Sequence, residues 1–136
     1  MSEAIERHGS GAKWESIVGY SRVVSAGGFV FVSGTTASGA ETATLEGQSV
    51  YLQACEALRR IEQALIRGGA CMSQVVQTRM YLTDISRWDE AAKAHFEFFA
   101  SSPPASSLVE VSALIEPQLL IEIEATAFAK TAGSAA

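Results

Sequence analysis

The sequence has only two cysteines, three prolines and two histidines among its 136 residues, and each shortage removes a class of protein. Cys55 and Cys71 are too few for a disulfide scaffold, and their separation has no metal-site spacing. Cys55 falls on the apolar stripe of a predicted helix and reads as core filler; Cys71 follows Gly68-Gly69 in a loop. His8 and His95 stand far apart without a local carboxylate pattern, which makes a poor metal site. No apolar run approaches the ~18 residues of a membrane span. The start, Met-Ser-Glu-Ala-Ile-Glu-Arg, lacks the apolar stretch of a signal peptide, so a cytoplasmic location is the expectation. Lysine and arginine number 10 against 15 acidic residues, giving a net charge of −5. They form no cluster, so the electrostatic footprint of a nucleic-acid binder is missing. Gly34, Gly39 and Gly47 form no phosphate-cradling motif.

What is present suits a compact α+β fold. The chain is 48% hydrophobic and 18% charged, and its length predicts one domain over residues 1–130 with a frayed tail, TAGSAA, at 131–136. Residues 4–8 are a candidate first strand and 9–18 a loop. SRVVSA at 21–26 and FVFVSGT at 29–35 read as two strands joined by the hairpin turn Gly27-Gly28. Residues 36–44 are small and polar, hence a loop. The clearest helix runs from about Leu45 to Gly68, with Tyr51, Ala54, Cys55, Leu58, Ile61, Glu62 and Leu65 on one face and Gly68-Gly69 as the stop. VVQTRMYL at 75–82 is a strand. Asp84 or Ser86 caps a second helix reaching about Phe99, whose inner face holds Trp88, Ala91, Ala92, His95, Phe96 and Phe99. Residues 106–112 and 119–128 complete the order β-ββ-α-β-α-ββ, a mixed six-stranded sheet with both helices on one face.

Alternation along the strands then sorts the faces. Val76, Thr78, Met80 and Leu82 are expected toward the helices, with Val109 and Val111. The other face collects Val75, Gln77, Arg79, Tyr81, Leu108, Glu110, Glu122 and Glu124. A face this mixed is too apolar for water and too charged for a core, which predicts that subunits share it in a closed oligomer.

Certain residues also carry a family resemblance. Pro104-Ala105-Ser106-Ser107-Leu108-Val109-Glu110-Val111, followed after a loop by Ile121-Glu122-Ile123-Glu124-Ala125, resembles the signature of the Rid (YjgF) family. Gly19-Tyr20-Ser21 resembles that family's tyrosine loop, and Phe31-Val32-Ser33-Gly34 its third strand. The resemblance covers about residues 10–130. It implies a chorismate mutase-like fold, a homotrimer with small-molecule clefts between subunits, and hydrolysis of imines or enamines such as 2-aminoacrylate without cofactor or metal.

The resemblance also assigns site residues. Glu122 matches the acidic residue that manages the attacking water, and Tyr20 the tyrosine of the ligand cleft. Three positions depart from the family pattern. Ser106 stands where the deaminases have an arginine that grips the substrate carboxylate, Leu108 where they often have cysteine, and Gly19 where a proline is common. A hydroxyl cannot replace a bidentate guanidinium, and losing such a contact costs about 2–5 kcal/mol. The expected substrate is therefore an imine or related reactive intermediate other than 2-aminoacrylate. Ser106 and Leu108 keep ligand-lining positions, and Arg79 or Arg22 is a candidate for a relocated anion-binding charge, with neutralisation of the glutamates as the other role for Arg79. A trimer that binds a metabolite without turnover stays open as the alternative.

Overall fold

The computed structural model describes residues 4–38 and 49–129. The expected tail at 131–136, most of the expected loop at 36–44 and the expected first helical turn at 45–48 lie outside them. Six strands form one mixed sheet: β1 (Glu6–His8), β2 (Val23–Ala26), β3 (Phe29–Thr35), β4 (Val75–Leu82), β5 (Ala105–Glu110) and β6 (Ile121–Phe128), in the spatial order β1-β2-β3-β6-β4-β5. Helix α1 (Val50–Gly68) crosses from β3 to β4, and α2 (Trp88–Phe99) from β4 to β5. β4 and β5 pair in parallel, and β6 lies antiparallel between β3 and β4. Both helices cover the same sheet face, as the element order predicts.

Local chemistry sets the boundaries. Gly27 and Gly28 have φ of 59° and 89°, the left-handed pair that a tight hairpin turn requires and that glycine adopts without strain. Ser49 caps α1 by accepting the Leu52 N–H at 3.1 Å. Asp84 caps a single tight turn, Ile85–Arg87, that feeds directly into α2. The core between helices and sheet is built from Val23, Val30, Val32, Leu58, Ile61, Leu65, Met80, Leu82, Phe99, Ile121 and Ile123. Gln53, a buried polar residue in it, donates from Nε2 to the Gln118 carbonyl at 3.0 Å and accepts the Leu120 N–H at 2.8 Å, stitching α1 to the segment before β6.

Several facing expectations change. The β4–β6 register shifts between Val75 and Gln77. This bulge turns Val75 into the core and leaves Val76 46% exposed. In β5, parallel pairing sets Ser106, Leu108 and Glu110 beside Thr78, Met80 and Leu82, so these three share the helix side and Val109 takes the open face. Glu110 accordingly leaves the other glutamates and accepts the Ile85 N–H at 2.9 Å. On α2 the buried residues are Ala91, Ala94 and Phe99, while Trp88 and Phe96 are exposed. On α1 Glu62 is exposed. The expected loop at 9–18 contains a wide helical turn, Glu15–Gly19, closed by the Tyr20 N–H on the Glu15 carbonyl at 3.0 Å.

The open sheet face is still mixed, with other members. Phe29, Phe31, Phe128, Val76 and Val109 are exposed there, and Phe29 packs against Phe128 with ring centroids 4.9 Å apart. Among them lie Arg79, Tyr81 and Glu124. Among the described residues no helix is long and apolar enough to cross a membrane.

Candidate functional site

A cleft of about 730 Å³ opens where the β1–β2 loop, the end of β3, the start of β6 and the outer side of α1 meet. Tyr20 and Glu122, 102 positions apart, both line it. Trp14, Val18 and Ile115 supply apolar lining, and Arg59, Arg60 and Arg67 come from α1.

The polar end is organised around Arg22, whose side chain is 14% exposed. Its Nη1 donates to the Gly34 carbonyl at 2.9 Å, to Thr35 Oγ1 at 3.1 Å and to the Ser33 carbonyl at 3.4 Å. Nη2 donates to Tyr20 Oη at 3.3 Å, and Nε reaches Glu15 Oε2 at 3.5 Å. Glu15 also accepts from Ser10 N at 2.9 Å and Ser10 Oγ at 2.5 Å. Burial pushes the Glu15 carboxyl up, but these hydrogen bonds and the Arg22 charge outweigh it and hold the group below the ordinary carboxylate range.

Glu122 stands in the opposite condition. Its carboxyl lies on Gly34, where a Cβ would collide with it. It accepts no hydrogen bond found among the described residues. Burial pushes its pKa up, the neighbouring Glu124 charge adds to this, and Arg22 opposes both. Glu124 is different again: it accepts from Tyr81 Oη and pairs with Arg79 Nη1 at 3.6 Å. The result is two carboxylates on one strand, Glu124 tied into partners and Glu122 without a hydrogen-bond partner among the described residues.

The other residues singled out from the sequence lie elsewhere in the chain. Ser106 is exposed near the N-terminal end of β5 and receives a hydrogen bond from Thr78 Oγ1 at 2.8 Å. Thr78, fully buried, stands in turn 2.8 Å from His95 Nε2. Leu108 packs against the core. Arg79 is half exposed over a second hollow on the open sheet face, lined also by Phe29, Phe31, Gln77, Glu124 and Thr126. The structure therefore brings Tyr20, Arg22 and Glu122 together and leaves Ser106, Leu108 and Arg79 apart from them. Trp14 lines the cleft, and Glu15 beside it pairs with Arg22 at 3.5 Å, a partnership with no signal in the local pattern of the loop.

Residues 11–129 match the family model described as Endoribonuclease L-PSP. A solved Mycobacterium tuberculosis structure, a member of the YjgF/YER057c/UK114 family, superposes with a TM-score of 0.84 at 47% identity, over 92% of this chain and 99% of that one. An uncharacterised Streptomyces coelicolor protein is 34% identical over 93% of this chain and 94% of its own length. The human 2-iminobutanoate/2-iminopropanoate deaminase is 30% identical over 93% of each.

Proposed function

Because the chain belongs to the Rid (YjgF) family, we propose that it hydrolyses small imines or enamines whose reacting carbon carries no carboxylate. The observation that carries this reading is Glu122: a carboxyl of raised pKa, poor in hydrogen-bond partners, that shares a partly apolar cleft with Tyr20. The human relative's name supplies the reaction class, and Ser106 supplies the departure from amino-acid imines.

The chemistry needs water and one well-placed carboxylate. Water attacks the carbon of the protonated C=N group while Glu122 takes a water proton, giving a carbinolamine. Glu122 returns that proton to nitrogen, the C–N bond breaks as C=O forms, and the remaining hydroxyl proton leaves with ammonia. One water is consumed and one ammonium ion released. Tyr20 Oη accepts from Arg22, which leaves its own proton free to orient the ligand.

The assembly in this proposal is a homotrimer. Exposed Phe29, Phe31, Phe128, Val76 and Val109 on the open sheet face favour burial against a neighbouring copy. The exposed Ser106 would then face the cleft of a neighbour from the β5 edge, with Leu108 packed behind it.

The test is imine loss in the presence of purified protein, followed by semicarbazide trapping, with wild type beside Glu122→Ala. Amino-acid oxidase generates carboxylate-bearing imines, and an amine oxidase acting with O2 on simple amines generates carboxylate-free ones. Faster loss of the carboxylate-free set, reduced about 10²–10⁴-fold in the variant, supports the proposal. Saturable ligand binding without turnover replaces the enzyme by a metabolite-binding trimer. RNA cleavage, the activity in the family model's description, would instead require salt-dependent RNA binding by a chain of net charge −5.

A further inference from the structure

Arg22 bonds to Tyr20, Glu15 and three consecutive residues of β3 at the polar end of the cleft and exposes little of itself. Its hydrogen bonds fall on Ser33, Gly34 and Thr35, the stretch of β3 where the register with β6 shifts between Val32 and Thr35. A strand at such a bulge has lost its regular ladder partners there, and the guanidinium takes over part of their work. The same stretch is the surface on which the Glu122 carboxyl rests. Arg22 also meets Tyr20 twice, at the hydroxyl and through its guanidinium over the ring, 5.5 Å from the centroid. Glu15 and Ser10 hold it from the loop side.

This geometry excludes the role of an anion clamp. Bidentate capture of a carboxylate needs two parallel N–H groups facing the ligand. The Nη1 hydrogens of Arg22 are directed at the chain's own oxygens and its Nε–H at Glu15. Too few remain for a fork.

We infer that Arg22, braced by Glu15, is a positioning residue: it fixes the Tyr20 hydroxyl and the β3 bulge beneath Glu122, and holds a positive charge beside that carboxylate. The inference rests on the reading of Tyr20 and Glu122 as the reacting pair. The charged and titratable groups around Glu122 are Glu124 on its own strand, Tyr81 on β4, Tyr20 and Arg22 from the β1–β2 connection, and Arg59, Arg60 and Arg67 on the α1 wall. Of these, Arg22 is the cation that acts on Glu122 in the balance of its pKa.

The experiment titrates the Glu122 side-chain carboxyl by carbon-13 NMR in wild type, Arg22→Gln and Arg22→Lys, and measures kcat and KM across the imine panel. Arg22→Gln should raise the Glu122 midpoint and lower kcat. Arg22→Lys is the variant that keeps the charge and spares the fold. It should leave the midpoint close to wild type, yet lose about tenfold or more in kcat, because an ammonium cannot span the two carbonyls, the Thr35 hydroxyl and Tyr20 together. An unchanged midpoint in Arg22→Gln overturns the inference, as does a wild-type rate in Arg22→Lys. So does a rise in KM confined to carboxylate-bearing imines, which would make Arg22 an anion clamp after all. If wild type hydrolyses no imine, the hydrolase reading fails on its own, and the midpoint shift alone decides whether Arg22 is the brace.

Discussion

The carboxyl of Glu122 occupies the space in which a side chain at Gly34 would begin. Gly34 does not have a positive φ, so the demand is for room, not for an unusual backbone. Gly34→Ala must therefore push Glu122 off its seat or reopen the β3 bulge. We expect a stability loss of about 1–3 kcal/mol, as for overpacking elsewhere, and a fall in kcat with a normal circular-dichroism spectrum. Thermal melts and steady-state rates on one preparation check both.

Glu122 also ties stability to pH with a definite sign. Its folded pKa lies above the ordinary value because burial and Glu124 disfavour the charge. Between the ordinary and the raised value the folded state holds more protons than the unfolded chain, so stability falls as pH rises through that window and stays lower above it. Glu122→Gln, which never ionises, should melt higher than wild type at neutral pH and match it at acid pH. The same shift places the acid limb of the activity profile above the range of a free glutamate, since the water-activating form is the anion. A variant that melts lower at neutral pH would show that the charged form is favoured in the fold.

Much of the architecture can be read from local pattern, and the exceptions have a common cause. FVFVSGT and VVQTRMYL are bounded β-branched runs, and the structure places strands on the same residues, Phe29–Thr35 and Val75–Leu82. Which side chains face inward depends on partners distant in sequence. Val75 turns inward because β6 shifts register beside it, and Leu108 does so because β4 sets the phase of β5. Neither signal lies in the strand's own residues: Leu108 and Val109 are equally apolar. Gln53 looks like a stray polar position on α1 until its partners, 65 and 67 residues away, are known. Tyr20 and Glu122 were reached through family resemblance, since no spacing rule links residues brought together only by sheet closure. Arg22 was a candidate for binding an external anion; its confinement depends on Glu15 and on backbone carbonyls, which sequence pattern does not reveal.

Ser106 offers a test by restoration. Its hydroxyl is exposed at the edge strand and leans on Thr78, so a longer side chain there has solvent to enter. If specificity at this position follows charge, Ser106→Arg should raise kcat/KM for carboxylate-bearing imines about tenfold or more and leave carboxylate-free imines nearly unchanged, the direction expected when a bidentate cation is returned to a carboxylate site. Equal effects on both substrate sets would remove position 106 from specificity.

Behind Ser106 the chain of hydrogen bonds continues into the interior, and its end sets a second pH dependence. His95 Nε2 lies 2.8 Å from the fully buried Thr78 Oγ1, and the imidazole packs against Phe99 at a tilt of 42°, ring centroids 4.6 Å apart. Burial lowers its pKa below the ordinary 6.5. The unfolded chain therefore binds a proton more readily than the fold. This contribution to stability is complete above about pH 6.5 and declines as pH falls from there toward the depressed folded value. Replacing Thr78 by valine keeps the shape, breaks the link and leaves the ring nitrogen without its partner, at about 1–3 kcal/mol. His95→Phe should flatten the slope of stability between pH 6.5 and the folded pKa, because the titrating group is gone. Adding Thr78→Val to it should cost much less than Thr78→Val alone, since no buried nitrogen is then stranded. Denaturant melts of the two single variants and the double at pH 5.5 and 7.5 measure that coupling; strictly additive losses would show that the threonine and the histidine stabilise the fold independently.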